Sequence, residues 1–417
     1  MYNFKMAQSR RWICNGSVAW LAKPIVAFAF ALVFYYFSAT LAGSPFRVRT
    51  YAYFNYLADA FLHGQLNLRL LPASIHDLSF FNGKYYLYWP PMPAIVLMPF
   101  VALFGVRFSD VFFGMIVASL NVAVLAALLR EADHVRLISL DGDYRGLLVL
   151  FFALGTVHVI LAPFGSVWFV AQLLGFLFVG LAYLSALKLD GIWAFVTVGI
   201  LIACATLTRN HLLFTGIWPA HYLLSKCWHA KPKVYAWAGL ALLPLLIFGS
   251  LFLLYNDLRF GRPLELGIHY HEMDPIFVGD YEKYGAFNLH YLPTNFYYQY
   301  IYYPLPISEE TKMGGSLFLL SPVFLYAFRA LFKSYRNPSV IAWTVSILAT
   351  SIPILLLMGT GWVQYGPRYT LDFTVPLLLL TAKGVEGTSK PWLFVLTVLS
   401  ILQYIPGVRF FAKLQQR

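Results

Sequence analysis

"RVRTYAYFNYLADAFLHGQLNL" (residues 47–68) follows directly on the first long apolar run of the chain and carries two arginines, five Tyr or Phe rings and one carboxylate, Asp59. It is too polar to sit in hydrocarbon, where every unpaired polar group costs several kcal/mol, roughly. What surrounds it is mostly membrane. Of 417 residues, 60% are hydrophobic and 12% charged, against about 25% charged in soluble domains. Apolar runs of roughly 17–25 residues recur along the chain, each long enough to cross ~30 Å of hydrocarbon as a helix. They lack the alternation of a barrel wall. The first run is long and has no small-residue cleavage site after it, so a cleaved signal is not expected.

The fold class read from these runs is an all-α polytopic membrane protein, one domain over 1–417. Eleven spans are expected near 24–44, 108–130, 146–163, 168–187, 190–207, 210–225, 234–255, 314–332, 338–358, 368–383 and 391–407. Lysine and arginine gather in "KMAQSRRW", "SKCWHAKPK" (225–233), "RALFKSYR" (329–336) and "AKGVEGTSK" (382–390). An N-terminus inside places all four on the cytoplasmic face. The basic tail "RFFAKLQQR" then falls outside, against the rule. "PPMPAIVLMPFVALFG" (90–105) is short and proline-headed, and counting it as a span inverts everything after it; it reads as an interfacial helix. Two long outer loops result, about 45–107 and 256–313. The net charge of +12 fits these loops and anionic lipid, and no nucleic-acid partner is expected. Cys14, Cys204 and Cys227 are far apart, with no metal spacing and no disulfide framework expected.

"YAYFNYLADAFLHG" reads as a short amphipathic helix closed by Gly64. In "SIHDLSFFNGKYYLYWPPMP", Asn82-Gly83 signals a turn and the prolines open a second helix. Asp77, beside His76, is the first candidate for taking a proton from a hydroxyl, with a turn or cap as its plainer reading. Asp59 is the second candidate, or a solvated helix face. Arginines near lipid need an anion, a partner or water. Arg368 in "QYGPRYTLDF", Arg259 and Arg262 flanking "FG", and Arg209 with His211 are candidates for holding phosphate oxygens in the guanidinium fork. Tyr369 and Asn55 join them as binding candidates. Snorkelling or pairing is the alternative for each, for instance Arg368 with Asp372 at i,i+4. The tyrosine-rich segment 281–303 reads as an interfacial helix or a cover over a sugar. "HYHEMD" (269–274) matches no defensible metal spacing.

One span, a loop with "YFNYLADAFLHG", a helix opened by "YLYWPPMP" and then many spans together resemble the GT-C glycosyltransferases, in particular bacterial proteins of the family 39 type, which use polyprenyl-phosphate sugars. "YNDLRFGRPLELG" (255–267), "GGSLFLLSPVFLYAF" (314–328) and "VQYGPRYTLDFTVP" (363–376) resemble the same group. The likeness covers about the whole chain through loose motifs. It implies a GT-C fold and transfer, with inversion, from a polyprenyl-phosphate sugar to a glycan, lipid or protein hydroxyl at the outer face of a bacterial inner membrane, without a cofactor. Two departures stand out. The acidic residue that many relatives carry before "FNY" is replaced by Thr50 and Tyr51, and the lysine before the proline pair by Trp89. Lys84 is then the expected source of the missing cation. Relatives hold a divalent metal with carboxylates in the next outer loop; "PFGSVWFVAQ" (163–172) has none, so no metal site is expected there. A lipid-linked-sugar transporter or scramblase, or a non-catalytic envelope-assembly protein, remains the alternative.

Overall fold

The structure, a computed structural model, describes residues 17–361 and 363–416; the basic segment 5–12 and Cys14 lie outside them. Its helices are α1 (Pro24–Leu41), α2 (Tyr53–Leu62), α3 (Met92–Phe104), α4 (Asp110–His134), α5 (Gly142–Leu154), α6 (His158–Leu161), α7 (Val167–Lys188), α8 (Gly191–Thr206), α9 (Ile217–Lys226), α10 (Lys233–Phe260), α11 (Pro275–Tyr284), α12 (Leu292–Phe296), α13 (Leu317–Leu320), α14 (Tyr326–Lys333), α15 (Pro338–Leu356), α16 (Thr374–Val385) and α17 (Lys390–Gln416). Among the described residues six of these, α1, α4, α7, α10, α15 and α17, have the length and apolar composition to cross a membrane. The protein is an all-α chain of the polytopic membrane type.

α4 is the central mast. It packs against α1 on one side and α7 on the other, α7 against α8, and α8 against α10. The last contact is close because residue 199 is glycine: a Cβ there meets the Ala241 carbonyl oxygen at 2.2 Å. Gly384 does the same for α16 on α14, where an added Cβ meets the Tyr326 carbonyl oxygen at 1.8 Å. Caps set the helix starts. Ser109 accepts the Phe112 N–H at the head of α4, Asp141 accepts the Tyr144 N–H at α5, and Asn337 with Pro338 opens α15.

Several expected spans are broken. Residues 314–332 form α13, a 3-10 turn over Pro322–Leu325 and α14, because Pro322 cannot donate into a continuing helix. Residues 210–225 begin as a 3-10 helix over Asn210–Gly216, and 368–383 as one over Arg368–Phe373. Arg209 and Arg368 therefore sit at irregular helix mouths. The 281–303 segment is also not one helix: it divides into α11, α12 and a π-helical turn at Tyr297–Ile301.

The 76–90 loop adds two short strands that hydropathy did not reveal. β1 (Ser79–Phe81) and β2 (Lys84–Tyr86) pair antiparallel. The turn between them has φ of 48° at Asn82 and 75° at Gly83, the left-handed pair that a two-residue hairpin needs.

α2 is not an amphipathic surface helix: Tyr53, Phe54, Asn55, Leu57, Ala58, Asp59 and Ala60 are all buried, and it packs on α3. The two ends of α4 carry different polar clusters. At its start, Asp110 lies beside Arg49 and Ser166. At its end, about 35 Å away at 1.5 Å per residue, Asp133 accepts from Arg145. That far end also gathers Lys390 with Asp141 and Asp143, and Arg329 with the Glu386 carbonyl.

Candidate active site

At the Asp110 end the first loop is stitched to the entrance of α7. Asp110 Oδ1 accepts the Arg49 backbone N–H and Oδ2 accepts that of Ser166. Arg49 Nε donates to the Phe164 carbonyl, and Val167 N–H to the Tyr51 carbonyl. These bonds hold Thr50, Tyr51 and Trp168 on the wall of a cavity of about 930 Å³. It is the arginines, Thr50 and Tyr51 at the head of segment 47–68 that reach this wall, and not α2.

Asp77 lies on the same wall. The Tyr53 hydroxyl donates to the Ser74 and His76 carbonyls, and the Asp77 N–H donates to the Glu272 carbonyl. With the loop pinned from both sides, Asp77 is held at φ 63°, a conformation non-glycine residues rarely adopt. Its Oδ1 accepts from His271 Nε2 at 2.8 Å and its Oδ2 from Trp168 Nε1 at 2.9 Å. His76 Nε2 is 3.5 Å away. Burial pushes the Asp77 carboxyl up, but the hydrogen bond and charge of His271, the charge of His76 and the Trp168 hydrogen bond together hold it below the usual carboxylate value. Asp77 is ionised at neutral pH. Beside it, burial and then the Asp77 charge push the Tyr88 phenol well up, so Tyr88 stays a neutral hydroxyl.

The cationic wall comes from two helix mouths. Arg368 is 6% exposed. Its Nε donates to the Gly361 carbonyl at 3.0 Å, and its Cζ lies 4.9 Å from the Tyr369 ring and 5.8 Å from that of Phe169. Gln172 holds its backbone by donating to the Arg368 carbonyl. No carboxylate among the described residues lies within ion-pair distance of Arg368, although its charge interacts with that of Asp77. Asp372 does not pair with it. That carboxylate accepts instead from Arg209 Nε at 3.0 Å and His211 Nε2 at 2.8 Å. Arg209 Cζ lies 5.6 Å from the Trp89 ring and 5.4 Å from that of Tyr369. The cation beside position 89 is thus Arg209. Lys84 is exposed at the hairpin turn, and it is not on the cavity wall.

Of the sequence candidates, Asp77, Arg368, Arg209, His211 and Tyr369 meet in the cavity. The others do not. Asp59 is held bidentately by Arg69 at 3.0 and 2.9 Å. Arg259 donates to the Leu87 carbonyl and Asn256 Oδ1 and stacks on Tyr255. Arg262 is exposed. Asn55 ties α2 to the chain before α4 by donating to the Val106 and Phe108 carbonyls. From 281–303 only Ala286 and Phe287 reach the wall, so its tyrosines form no cover over it. His271, from "HYHEMD", serves Asp77, and no group of three or more His, Cys, Asp or Glu side chains suited to a metal occurs among the described residues. Sequence reasoning missed Trp168 and Tyr88, weighed His271 only as part of a metal loop, and offered Asp372 only as a partner for Arg368. The tenth-span motif contained Asp372, but no local signal paired it with residues 163 positions away. Beyond the polar groups, Phe252, Phe277, Ile354, Leu357 and Met358 make an apolar wall.

No family model matches the chain, and no curated protein matches it in sequence. Among solved structures, ArnT from Cupriavidus metallidurans in the apo state aligns at TM-score 0.53 and 13% identity, covering 88% of this chain and 60% of its own. ArnT bound to undecaprenyl phosphate aligns at 0.48 and 14%, with the same coverage. The apo oligosaccharyltransferase of Archaeoglobus fulgidus aligns at 0.46 and 12%, covering 94% of this chain and 56% of its own. The chain spans about 60% of the length of ArnT. The likeness establishes the fold: this is a GT-C fold.

Proposed function

We propose that the protein is a membrane glycosyltransferase that moves a sugar from a polyprenyl-phosphate donor to an acceptor hydroxyl, with inversion at the anomeric carbon. The carrying observation is one cavity that joins an ionised Asp77–His271 pair to a buried Arg368 without a carboxylate partner among the described residues, with an apolar wall beside them. A buried guanidinium left without an anion favours one supplied from outside, and the phosphate of a lipid-linked sugar has the right charge and shape. The apolar wall suits the first isoprene units.

In the reaction the donor is a phosphodiester and the departing polyprenyl phosphate gains one negative charge. Arg368, with Arg209 nearby, stabilises that developing charge from a buried position already in place, the kind of term that dominates many enzymatic barriers. The acceptor attacks the opposite face of the anomeric carbon, and its proton passes to the Asp77–His271 pair. Charge compensation by arginines makes the proposed mechanism independent of metal. Placing the basic cluster at the far end of α4 in the cytoplasm puts the cavity at the outer face of a plasma membrane. The acceptor is a glycan, lipid or protein hydroxyl of the cell envelope.

The test is transfer by detergent-purified protein given polyprenyl-phosphate sugars and membrane-extract acceptors. Release of polyprenyl phosphate without a second compartment is expected. Movement of intact lipid-linked sugar across proteoliposomes, with no release, would replace transfer by transport.

A further inference from the structure

We propose that His271 is the group that takes the acceptor's proton, with Asp77 as the positioning carboxylate behind it. The inference rests on the glycosyl-transfer reading above and assigns a residue role within it. A carboxylate only accepts hydrogen bonds, so the 2.8 Å contact to Asp77 Oδ1 places the ring proton on His271 Nε2. In the neutral form of the ring, the lone pair is then on Nδ1. That atom has no hydrogen-bond partner among the described residues, is not among the buried polar atoms, and belongs to a ring on the cavity wall. Both Asp77 oxygens, by contrast, already accept from His271 and Trp168.

The ring is held on three sides. Its backbone bridges to Ser79, at the start of the hairpin. The Tyr88 ring lies against the imidazole at a 54° tilt with centroids 4.8 Å apart, and the imidazole Nε2 is tied to Asp77. A carboxylate that fixes one ring nitrogen so that the other can take a proton is a recurrent arrangement on unrelated folds.

In the transfer step the acceptor O–H proton goes to His271 Nδ1, and the oxygen lone pair forms the new bond to the anomeric carbon. The bond from that carbon to the phosphate oxygen breaks with its electron pair on the phosphate, beside Arg368. The imidazolium formed lies against the Asp77 carboxylate until it passes the proton to water. The titratable and charged groups facing His271 are Asp77 and Tyr88, with His76 and Arg368 acting on Asp77.

The experiment compares native protein, His271→Gln, His271→Ala and His76→Gln in the detergent transfer assay over pH. The glutamine amide in His271→Gln retains an N–H donor for Asp77 but has no basic nitrogen. The expected result is a fall in kcat of roughly 10²–10⁴-fold for His271→Gln, with donor KM within about threefold. The acidic limb of the native kcat profile should be lost in that variant and kept in His76→Gln, and added imidazole should restore part of the His271→Ala rate. A His271→Gln enzyme that keeps the limb and most of its kcat overturns the inference and leaves the transferase reading standing. So does parallel loss of undecaprenyl phosphate binding and thermal stability, which marks a purely structural role. Inactivity of native protein with every donor overturns both.

Discussion

Arg368→Met is the substitution whose two effects run in opposite directions. Burying a cation costs several kcal/mol, roughly, after relaxation. Against this stand a charge-assisted hydrogen bond from Nε to the Gly361 carbonyl, about 1.5–3 kcal/mol, and ring contacts at 4.9 and 5.8 Å, about 0.5–2 kcal/mol. Without an ion-pair partner the balance is near zero or unfavourable by about 1–2 kcal/mol. The ligand-free Arg368→Met protein is therefore expected to be as stable as native protein, or to melt a few degrees higher. Its response to polyprenyl phosphate should fall. Losing charge-assisted bonds to phosphate weakens binding by roughly 10–100-fold. At a concentration about 100 times the native Kd, linkage stabilises native protein by about 2.7 kcal/mol. The same concentration is roughly 10 to 1 times the variant's Kd and stabilises it by only about 1.4 to 0.4 kcal/mol. The assay is thermal unfolding in detergent with and without undecaprenyl phosphate. Two results refute the reasoning: an undiminished lipid-induced shift in the variant, or a ligand-free variant destabilised by more than about 2 kcal/mol, which would make the guanidinium structural.

The other expectations concern charges around the same cavity. Asp372→Leu leaves Arg209 buried without its carboxylate and should cost about 3–5 kcal/mol by thermal unfolding, while the double variant with Arg209→Met recovers most of it; equal losses in both would show that the pair itself carries little. Because Asp77 lies below the usual carboxylate value when folded, its ionised form contributes stability above the unfolded pKa, about 3.9, and that contribution disappears as pH falls through the folded value. The melting gap between native protein and Asp77→Asn should then be open at neutral pH and close in acid; a gap independent of pH contradicts the assignment. Asp59→Asn, Lys84→Ala and Arg262→Ala lie off the cavity wall and should leave kcat within about twofold. A large loss at Lys84 would return the missing cation to the hairpin.

The all-α membrane class followed from the sequence alone, because hydrocarbon imposes a local rule of apolar helices of fixed length, whereas the breaks in the expected spans 210–225, 314–332 and 368–383 did not. Arg368, Arg209 and His211 were visible for the same reason, as costly groups beside long apolar runs, and Asp77 as a carboxylate of the first outer loop close to the proline-headed helix. The Asn82-Gly83 turn was legible from backbone chemistry, whereas the three-residue strands around it were too short for any periodicity to register. What the sequence could not supply is who meets whom. His271 finds Asp77 across 194 residues, Trp168 across 91, and Asp372 chooses Arg209 over the nearer Arg368. Asp59 and Arg259, equally plausible by type and position, are taken out of the site by Arg69 and by the Leu87 carbonyl. Such pairings depend on angstrom-scale packing between helices distant in the chain, so only the tertiary structure decided which polar groups remain available for chemistry.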